Sequence, residues 1–541
     1  MSTKGSLRIL LSSLSILASA RVSPRSTIQW GPCEEGEFNT TLAIQCGTVP
    51  VPLDYTRPDS KTFDLELVRI PAPIQPSRGS IQLNFGGPGS PTRGGAIATA
   101  PLLQVLSSGE YDFVAFDPRG TGKTIPIICT EDLFYVGQIL GDTRSSNDSD
   151  TALRRLWARG TTDGYICQHL GRGNETAEYI GTAFVARDMI SVVDALGEDG
   201  LLRYWGFSYG TTLGATAAAM FPERIDKVIL DGVQNPHEYY HAHVDFEGWA
   251  DSDMVFSHFF TSCIAAGPEK CALAALNKTA AELEQDTWRL FDRLREAPLS
   301  IGPTVFDLVA IKGLFVGQLK DTFTWPATSQ LLAVLLYGSE VEARAALGPM
   351  IHPATSNNPD HLASFAFTSG LWGIHCGDRI PRLAFFEEAI PEFTRLAETS
   401  RLMSDVAAWV TVHCAQWPWH AKETYMGDFN VKTKNPILIA GNIFDAHTPI
   451  RSAHNVSAGF EGSGILTVNG TGHCALSAPS ECSFASIAAY WGNGTLPEPG
   501  SVCQAAGPYD GHTWTDVFAA LAPTNKTEPL EKRGAYRLWL S

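Results

Sequence analysis

Leu202-Arg203-Tyr204-Trp205-Gly206-Phe207-Ser208-Tyr209-Gly210-Thr211 is the stretch from which the rest of the chain is read. Leu202 to Trp205 is a short β-rich run, and Thr211 to Phe221 is a small-residue helical segment carrying Gly214, Ala215 and Ala217 to Ala219. A serine at the apex of a sharp strand-to-helix turn needs glycine or another small residue on each side, so that strand and helix can close on one another. The pattern predicts strand, turn and helix, with the Ser208 hydroxyl lifted beyond the sheet edge.

Working outward, other β-rich runs appear at Ser80 to Phe85, Tyr111 to Phe116, Lys227 to Leu230, Pro436 to Ala440 and Gly464 to Val468, each running into Gly, Asp or Asn. Thr182 to Leu196 has apolar residues at helical spacing and stops at Gly197. Strands alternating with helices predict an α/β class chain with a mostly parallel sheet and helices on both faces. Between residues 236 and 430 the alternation gives way to helical, aromatic-rich stretches, namely Ala272 to Leu294, Ile311 to Leu319, Ser329 to Leu347 and Leu383 to Val410, with strands resuming only at Pro436. The expected organisation is a sheet domain over residues 29–235 and 431–506, a helical insertion over 236–430, and a loosely packed extension over 507–541.

A serine hydroxyl is a weak nucleophile, so it requires a base, and the base requires an orienting carboxylate. On a fold of this kind they follow in the order Ser, Asp/Glu, His. Asp445 lies just past the strand at Pro436 to Ala440, and His473 just past the strand at Gly464 to Val468, so both fall at the same sheet edge as Ser208. An Asx turn before Thr448-Pro449 is the plainer reading of Asp445; a turn histidine beside a disulfide is the plainer reading of His473. His447 competes for the role of base but stands only two residues from Asp445. Developing negative charge on a carbonyl oxygen needs backbone N–H donors. Tyr209 supplies one, and Asn84-Phe85-Gly86-Gly87-Pro88-Gly89-Ser90 supplies the other, through Gly87 with Gly86 as the alternative. No Gly-Lys-Ser/Thr follows this loop, so it is not a phosphate cradle.

The chain has 541 residues, 40 Lys and Arg against 57 Asp and Glu, a net charge of −17, and 44% hydrophobic residues. No basic run offers a nucleic acid its electrostatic footprint. Lys4 and Arg8 precede the apolar run Ile9 to Leu17 and the small residues Ala18-Ser19-Ala20, the layout of a signal peptide over residues 1–20. No later stretch is long and apolar enough for a membrane span. Sequons start at Asn39, Asn147, Asn174, Asn277, Asn455, Asn469, Asn493 and Asn525, eight of 15 asparagines, where composition alone gives roughly two. With eleven cysteines, the chain reads as a secreted, glycosylated and disulfide-bonded protein. Pairing near neighbours gives Cys33 with Cys46, Cys129 with Cys167, Cys263 with Cys271, and Cys376 with Cys414. Cys474, Cys482 and Cys503 remain unassigned. No metal-ligand spacing occurs, so no metal and no cofactor are expected.

Gly86-Gly87-Pro88-Gly89, Asp117-Pro118-Arg119-Gly120-Thr121-Gly122, Gly206-Phe207-Ser208-Tyr209-Gly210-Thr211, Leu230-Asp231-Gly232-Val233, Asn442-x-x-Asp445-x-x-Thr448-Pro449 and Gly472-His473-Cys474 occur in that order, after the opening Cys46-Gly47-Thr48-Val49-Pro50-Val51-Pro52-Leu53-Asp54-Tyr55. Together they resemble the secreted α/β-hydrolases related to tripeptidyl and prolyl aminopeptidases. The resemblance spans nearly all of residues 29 to 505. It implies an α/β-hydrolase fold with a helical canopy inserted after the sixth strand, and a triad at Ser208, Asp445 and His473. One departure stands out: the histidine usual before the Gly-Gly-Pro-Gly loop is Phe85 here. Arg119 is expected to tie its loop by an ion pair. For Glu247, Asp251 and Asp253, binding of a peptide's free amine competes with a solvated helix face.

The expected activity is serine-dependent release of N-terminal residues or short peptides. The alternatives are an esterase or amidase acting on a small acyl metabolite, and a non-catalytic binding protein on a hydrolase fold. The substrate is thus a peptide or small acyl compound, and the oligomeric state stays open.

Overall fold

The computed structural model describes residues 27–142, 149, 151–302, 304–350 and 359–521. The segment read as a signal peptide and the sequons at Asn147 and Asn525 lie outside the described residues.

Strands β1 (Gln45–Pro52), β2 (Thr62–Ile70), β3 (Ser80–Asn84), β4 (Asp112–Phe116), β5 (Leu202–Phe207) and β6 (Ile225–Asp231) precede the canopy. A two-stranded hairpin, β7 (Leu299–Ile301) and β8 (Thr304–Phe306), lies within it, and β9 (Leu438–Phe444), β10 (Gly464–Thr471) and β11 (Val502–Gln504) follow. The nine-stranded sheet has the order β1-β2-β4-β3-β5-β6-β9-β10-β11. Only β2 runs against its neighbours; the remaining pairings are parallel. Every residue of β3 and β5 is buried, as expected for strands covered on both faces. Tyr204, Met189 and Leu213 belong to the core on one side of the sheet. Trp205, Phe207, Tyr490 and Trp491 belong to the core on the other.

The chain passes from β3 to β4 on one side and then returns to β5 on the other side of β3. This reversal opens a crevice at the carboxyl ends of β3 and β5, where ligands bind in open α/β sheets. The loop after β3 and the turn carrying Ser208 are therefore neighbours by topology.

The expected helices of the insertion form, with two corrections. Strands do not wait until Pro436, since β7 and β8 pair antiparallel inside the canopy. The long helical stretches are also divided. Asn277 in a left-handed conformation and a Thr279/Glu282 capping box separate Ala272–Leu276 from Ala280–Glu296. Gly338 and a Ser339/Glu342 box separate Trp325–Tyr337 from Glu340–Leu347. Phe256, Phe259, Phe291, Phe315 and Trp325 form the canopy's own aromatic core. A further excursion between β4 and β5 packs its helix Ala152–Leu170 against the canopy helix Ser404–Gln416. There His413 Nε2 lies 2.8 Å from the buried carboxylate of Asp163.

Within the extension expected to pack loosely, the described part, residues 507–521, is anchored. Tyr509, Trp514 and Val517 are buried, and the Trp514 indole donates to Leu476 O at 2.8 Å. Isolated aromatic anchors, rather than a periodic face, hold it, which is why its pattern reads weakly. The four neighbour disulfides form as expected, Cys482 pairs with Cys503, and Cys474 is the free, buried cysteine. Asn39, Asn277, Asn455, Asn469 and Asn493 are exposed, whereas Asn174 is half-buried. No helix among the described residues is long and apolar enough to cross a membrane.

Candidate active site

Ser208 follows β5 directly, at φ 57° and ψ −126°, and the helix Tyr209–Met220 begins at the next residue. A non-glycine residue held there is strained, a condition that persists only where surrounding contacts enforce it. The enforcement is visible. Ser208 N donates to Asp231 O at 3.1 Å, and the Thr211 hydroxyl and N–H both donate to Ser208 O, at 2.6 and 2.8 Å. A Cβ on Gly210 would lie 2.6 Å from Asn84 O, and one on Gly206 would collide with Gly210 O. Only small residues let the turn close.

Asp445 is fully buried and uses both oxygens. Oδ1 accepts from His447 N at 2.9 Å and Thr448 N at 3.0 Å. Oδ2 accepts from the Thr448 hydroxyl at 2.6 Å and Cys474 N at 2.9 Å, and lies 3.1 Å from His473 Nδ1. The Asx turn and the histidine contact thus coexist on one carboxylate. Burial pushes its pKa up, but the neighbouring imidazole and these donors outweigh that and hold it well below the ordinary range. Thr448 Oγ1 also lies 3.0 Å from His473 Nδ1. Its own proton goes to Asp445, so both partners of Nδ1 are acceptors. We assign the proton of neutral His473 to Nδ1 on that ground, which leaves Nε2 as the basic nitrogen.

The loop bearing His473 is held from several sides. The Asn442 amide donates to Gly472 O at 2.9 Å and Cys474 O at 2.7 Å. His473 N donates to Lys320 O of the canopy at 2.8 Å. Asp231 accepts from Ala475 N and Leu476 N; burial pushes this acid up to about 6 despite those donors. Asp231 joins the two, since its carbonyl accepts from Ser208 N at 3.1 Å and its carboxylate from the loop after His473, so the serine turn and the histidine loop adjoin. The Ser208 hydroxyl makes no hydrogen bond to a described residue, His473 included; catalytic contacts of this kind commonly tighten only with substrate bound. His447, the competing base, is half-buried, its two ring nitrogens covered and without a partner among the described residues, and lost hydration holds its pKa well below the usual value.

In the loop after β3, Gly86 N–H is committed to Asn84 Oδ1 at 2.9 Å. Gly87 is exposed and its N–H has no partner among the described residues. Tyr209 N–H, first of its helix, is likewise unpaired among them. Gly86 has φ +87°, and a Cβ there would stand 2.6 Å from Phe207 O, 2.8 Å from Ser208 Cβ and 2.9 Å from Tyr209 N. This glycine therefore sets how closely the two loops approach. Phe85 stacks on Phe207, with centroids 5.5 Å apart and planes 1° from parallel.

Tyr209 is tied to the canopy. Its hydroxyl lies 2.6 Å from Thr182 Oγ1, which donates to Asp378 Oδ2 at 2.5 Å; Tyr239 donates to the same oxygen at 2.9 Å. Burial pushes Asp378 up to about 7. Sequence reasoning missed Asp378 because it stands far from every motif. It quoted Asp231, Asn442 and Thr448 within motifs but gave them no task. Arg119 does tie its loop, through both oxygens of Asp188 at 2.6 and 2.8 Å. The acids at the canopy's start serve the fold instead of a solvated face: Glu247 accepts from the Asn455 amide, Asp251 pairs with Arg451, and Asp253 accepts from Ser400 Oγ, Arg401 N and Leu402 N.

A sequence model of the α/β-hydrolase fold matches residues 85–262, and one described as TAP-like protein matches residues 400–503. Tripeptidyl aminopeptidase of Streptomyces coelicolor is 29% identical over 475 residues, covering 84% of this chain and 82% of that protein. Serine protease Hip1 of Mycobacterium tuberculosis is 25% identical over 504 residues, covering 88% and 91%. Carboxylesterase B of Mycobacterium tuberculosis is 34% identical over 112 residues, covering 20% and 21%. With this sheet and these relatives, the chain has the α/β-hydrolase fold and is a serine hydrolase similar to the tripeptidyl aminopeptidases.

Proposed function

We propose that the protein is a secreted aminopeptidase that releases N-terminal residues or short peptides through an acyl-enzyme on Ser208. His473 Nε2 takes the serine proton and later returns it to the leaving amine. Asp445 fixes the imidazole and stabilises its charged form, and the N–H groups of Gly87 and Tyr209 hold the oxyanion. The observation that carries this reading is the buried Asp445 carboxylate 3.1 Å from His473 Nδ1, on a loop adjoining the strained serine turn. Two features favour exopeptidase action: the near full-length likeness to a tripeptidyl aminopeptidase, and a canopy resting on the site through Lys320 O and Phe367. Disulfides and exposed sequons support secretion. Hydrolysis of small esters is the second reading, supported by the shorter match to a carboxylesterase.

A fluorophosphonate probe should label wild type and not Ser208→Ala, which should remain folded. On a panel of tripeptidyl anilides and nitrophenyl esters, N-acetylation of a cleavable peptide should lower kcat/KM by roughly a hundredfold, about 2.7 kcal/mol. Equal rates on free and acetylated peptides would remove the aminopeptidase reading. Rapid ester hydrolysis without any peptide turnover would install the second.

A further inference from the structure

The segment 236–430 contains five lysines, and four of them have carboxylate partners: Lys270 with Asp510, Lys278 with Asp286, Lys312 with Asp405 and Lys422 with Asp54, at 2.7, 2.8, 2.5 and 3.7 Å. The fifth, Lys320, makes no ion pair or side-chain hydrogen bond to a described residue. It is also the one beside the triad. It occupies the turn after the helix Leu308–Gln318, and its carbonyl receives His473 N at 2.8 Å. A Cβ on Gly472 would stand 3.0 Å from that same carbonyl, so the lysine backbone and the histidine loop are fixed against each other.

The Lys320 side chain is exposed, yet it stands within electrostatic reach of Asp445 and Cys474 and of His447. The walls around it are close enough that lost hydration lowers its pKa, an effect the Asp445 charge opposes. Asp445 cannot serve as its partner, because both carboxylate oxygens are already occupied by the donors described above. A solvent-reachable ammonium beside Asp445 and the His473 loop, partly stripped of water and given no counter-ion among the described residues, is set to receive an anion from outside.

We propose that Lys320 binds a carboxylate of the substrate next to the scissile bond, either the C-terminal carboxylate of a short leaving fragment or an acidic side chain flanking the cleaved amide. The proposal rests on the serine hydrolase reading of Ser208 and His473 and narrows its substrates to short or acidic acyl compounds. Lys320 is a specificity residue in this account. It takes no proton in the reaction.

The test compares matched pairs in wild type, Lys320→Met and Lys320→Arg. The pairs are tetra-alanine as free acid against its C-terminal amide, Ala-Ala-Ala-Asp-amide against Ala-Ala-Ala-Asn-amide, and the 4-nitrophenyl ester of succinic acid against that of its methyl half-ester. Wild type should favour the anionic member of at least one pair by about tenfold or more in kcat/KM, mainly through KM. Lys320→Met should collapse that ratio, and Lys320→Arg should keep most of it. A preference in the first pair identifies the terminal carboxylate as the source, and one in the second an acidic side chain. If no peptide is cleaved while the ester pair shows a Lys320-dependent preference, the peptidase reading falls and this one stands. An anionic-to-neutral ratio that is flat in wild type, or unchanged in Lys320→Met on every cleaved pair, overturns it. Fluorophosphonate labelling of each variant checks that a lost ratio does not reflect a lost site.

Discussion

Replacing Asp445 by asparagine separates the two tasks of that carboxylate. Asp445 receives five donors: His447 N, Thr448 N, the Thr448 hydroxyl, Cys474 N and His473 Nδ1. Asparagine has one acceptor oxygen. Kept toward His447 N and Thr448 N, it turns its NH2 toward the other three. The Thr448 hydroxyl can rotate away and His473 can shift its proton to Nε2, but Cys474 N–H cannot adjust. One orphaned backbone N–H costs about 1–3 kcal/mol. The opposite flip orphans two backbone N–H groups and is disfavoured. The preferred arrangement thus leaves the fold mostly stable but places the His473 proton on the nitrogen that should accept one from Ser208. A loss of about 10⁴ in kcat is expected, about 5.5 kcal/mol in the barrier. The effect on stability carries its own sign. A carboxyl held below its unfolded value contributes stability above that value, near 3.8, and loses it as pH falls through the folded one. Asparagine has no such contribution, so the stability gap between wild type and variant should narrow below about pH 4. Saturation kinetics at neutral pH and urea unfolding at about pH 6 and pH 3 measure both. A rate loss under tenfold, or a gap indifferent to pH, would refute the reasoning.

Gly86→Ala puts a methyl group 2.6 Å from Phe207 O at a positive φ, and should lower kcat/KM by at least about a hundredfold while shifting the unfolding midpoint modestly; near wild-type kinetics would free the two loops from each other. Asp378, pushed up to about 7 by burial, holds its proton more tightly in the folded state. Wild type should therefore lose stability relative to Asp378→Asn as pH rises from about 4 to about 7, which chemical denaturation across that window would detect and a flat difference would contradict. Cys474 is the free thiol, and it is buried. Alkylation without reductant should find no thiol on the native protein and one per chain after denaturation, as counted by intact mass; two or more would break the disulfide assignment.

The serine turn was legible because all its requirements are local: a strand, small residues on each side of Ser208, and a small-residue helix. Asp445 and His473 were legible because parallel strands present their following loops at one edge, so a polar residue just past each strand is already placed. Phe85 was legible only as a departure; that it stacks on Phe207 depends on the pairing of β3 with β5. Gly87 was preferred to Gly86 as the donor, but what sets them apart, the Asn84 side chain taking the Gly86 N–H, is not visible in the sequence. Asp378 and Lys320 come from the canopy, whose helices follow their own apolar spacing and carry no mark of what they lean on. The breaks in those helices were written in capping residues such as Thr279 and Ser339, yet apolar spacing runs straight across them and masked the stops.

The positions of the disulfides bear on how substrate enters. Cys33–Cys46 and Cys482–Cys503 close loops of the sheet layer, Cys129–Cys167 closes the excursion after β4, and Cys263–Cys271 and Cys376–Cys414 close loops of the canopy. None joins the canopy to the sheet. The roof is covalently attached only where the chain enters it after β6 and leaves it before β9, like a leaf on two pins, and what holds it shut is side-chain packing and single contacts such as His473 N to Lys320 O. An oxidising environment therefore hardens each layer without locking the door between them, and substrate exchange should keep the same pace whether the cross-links are intact or the Cys376–Cys414 loop alone is opened.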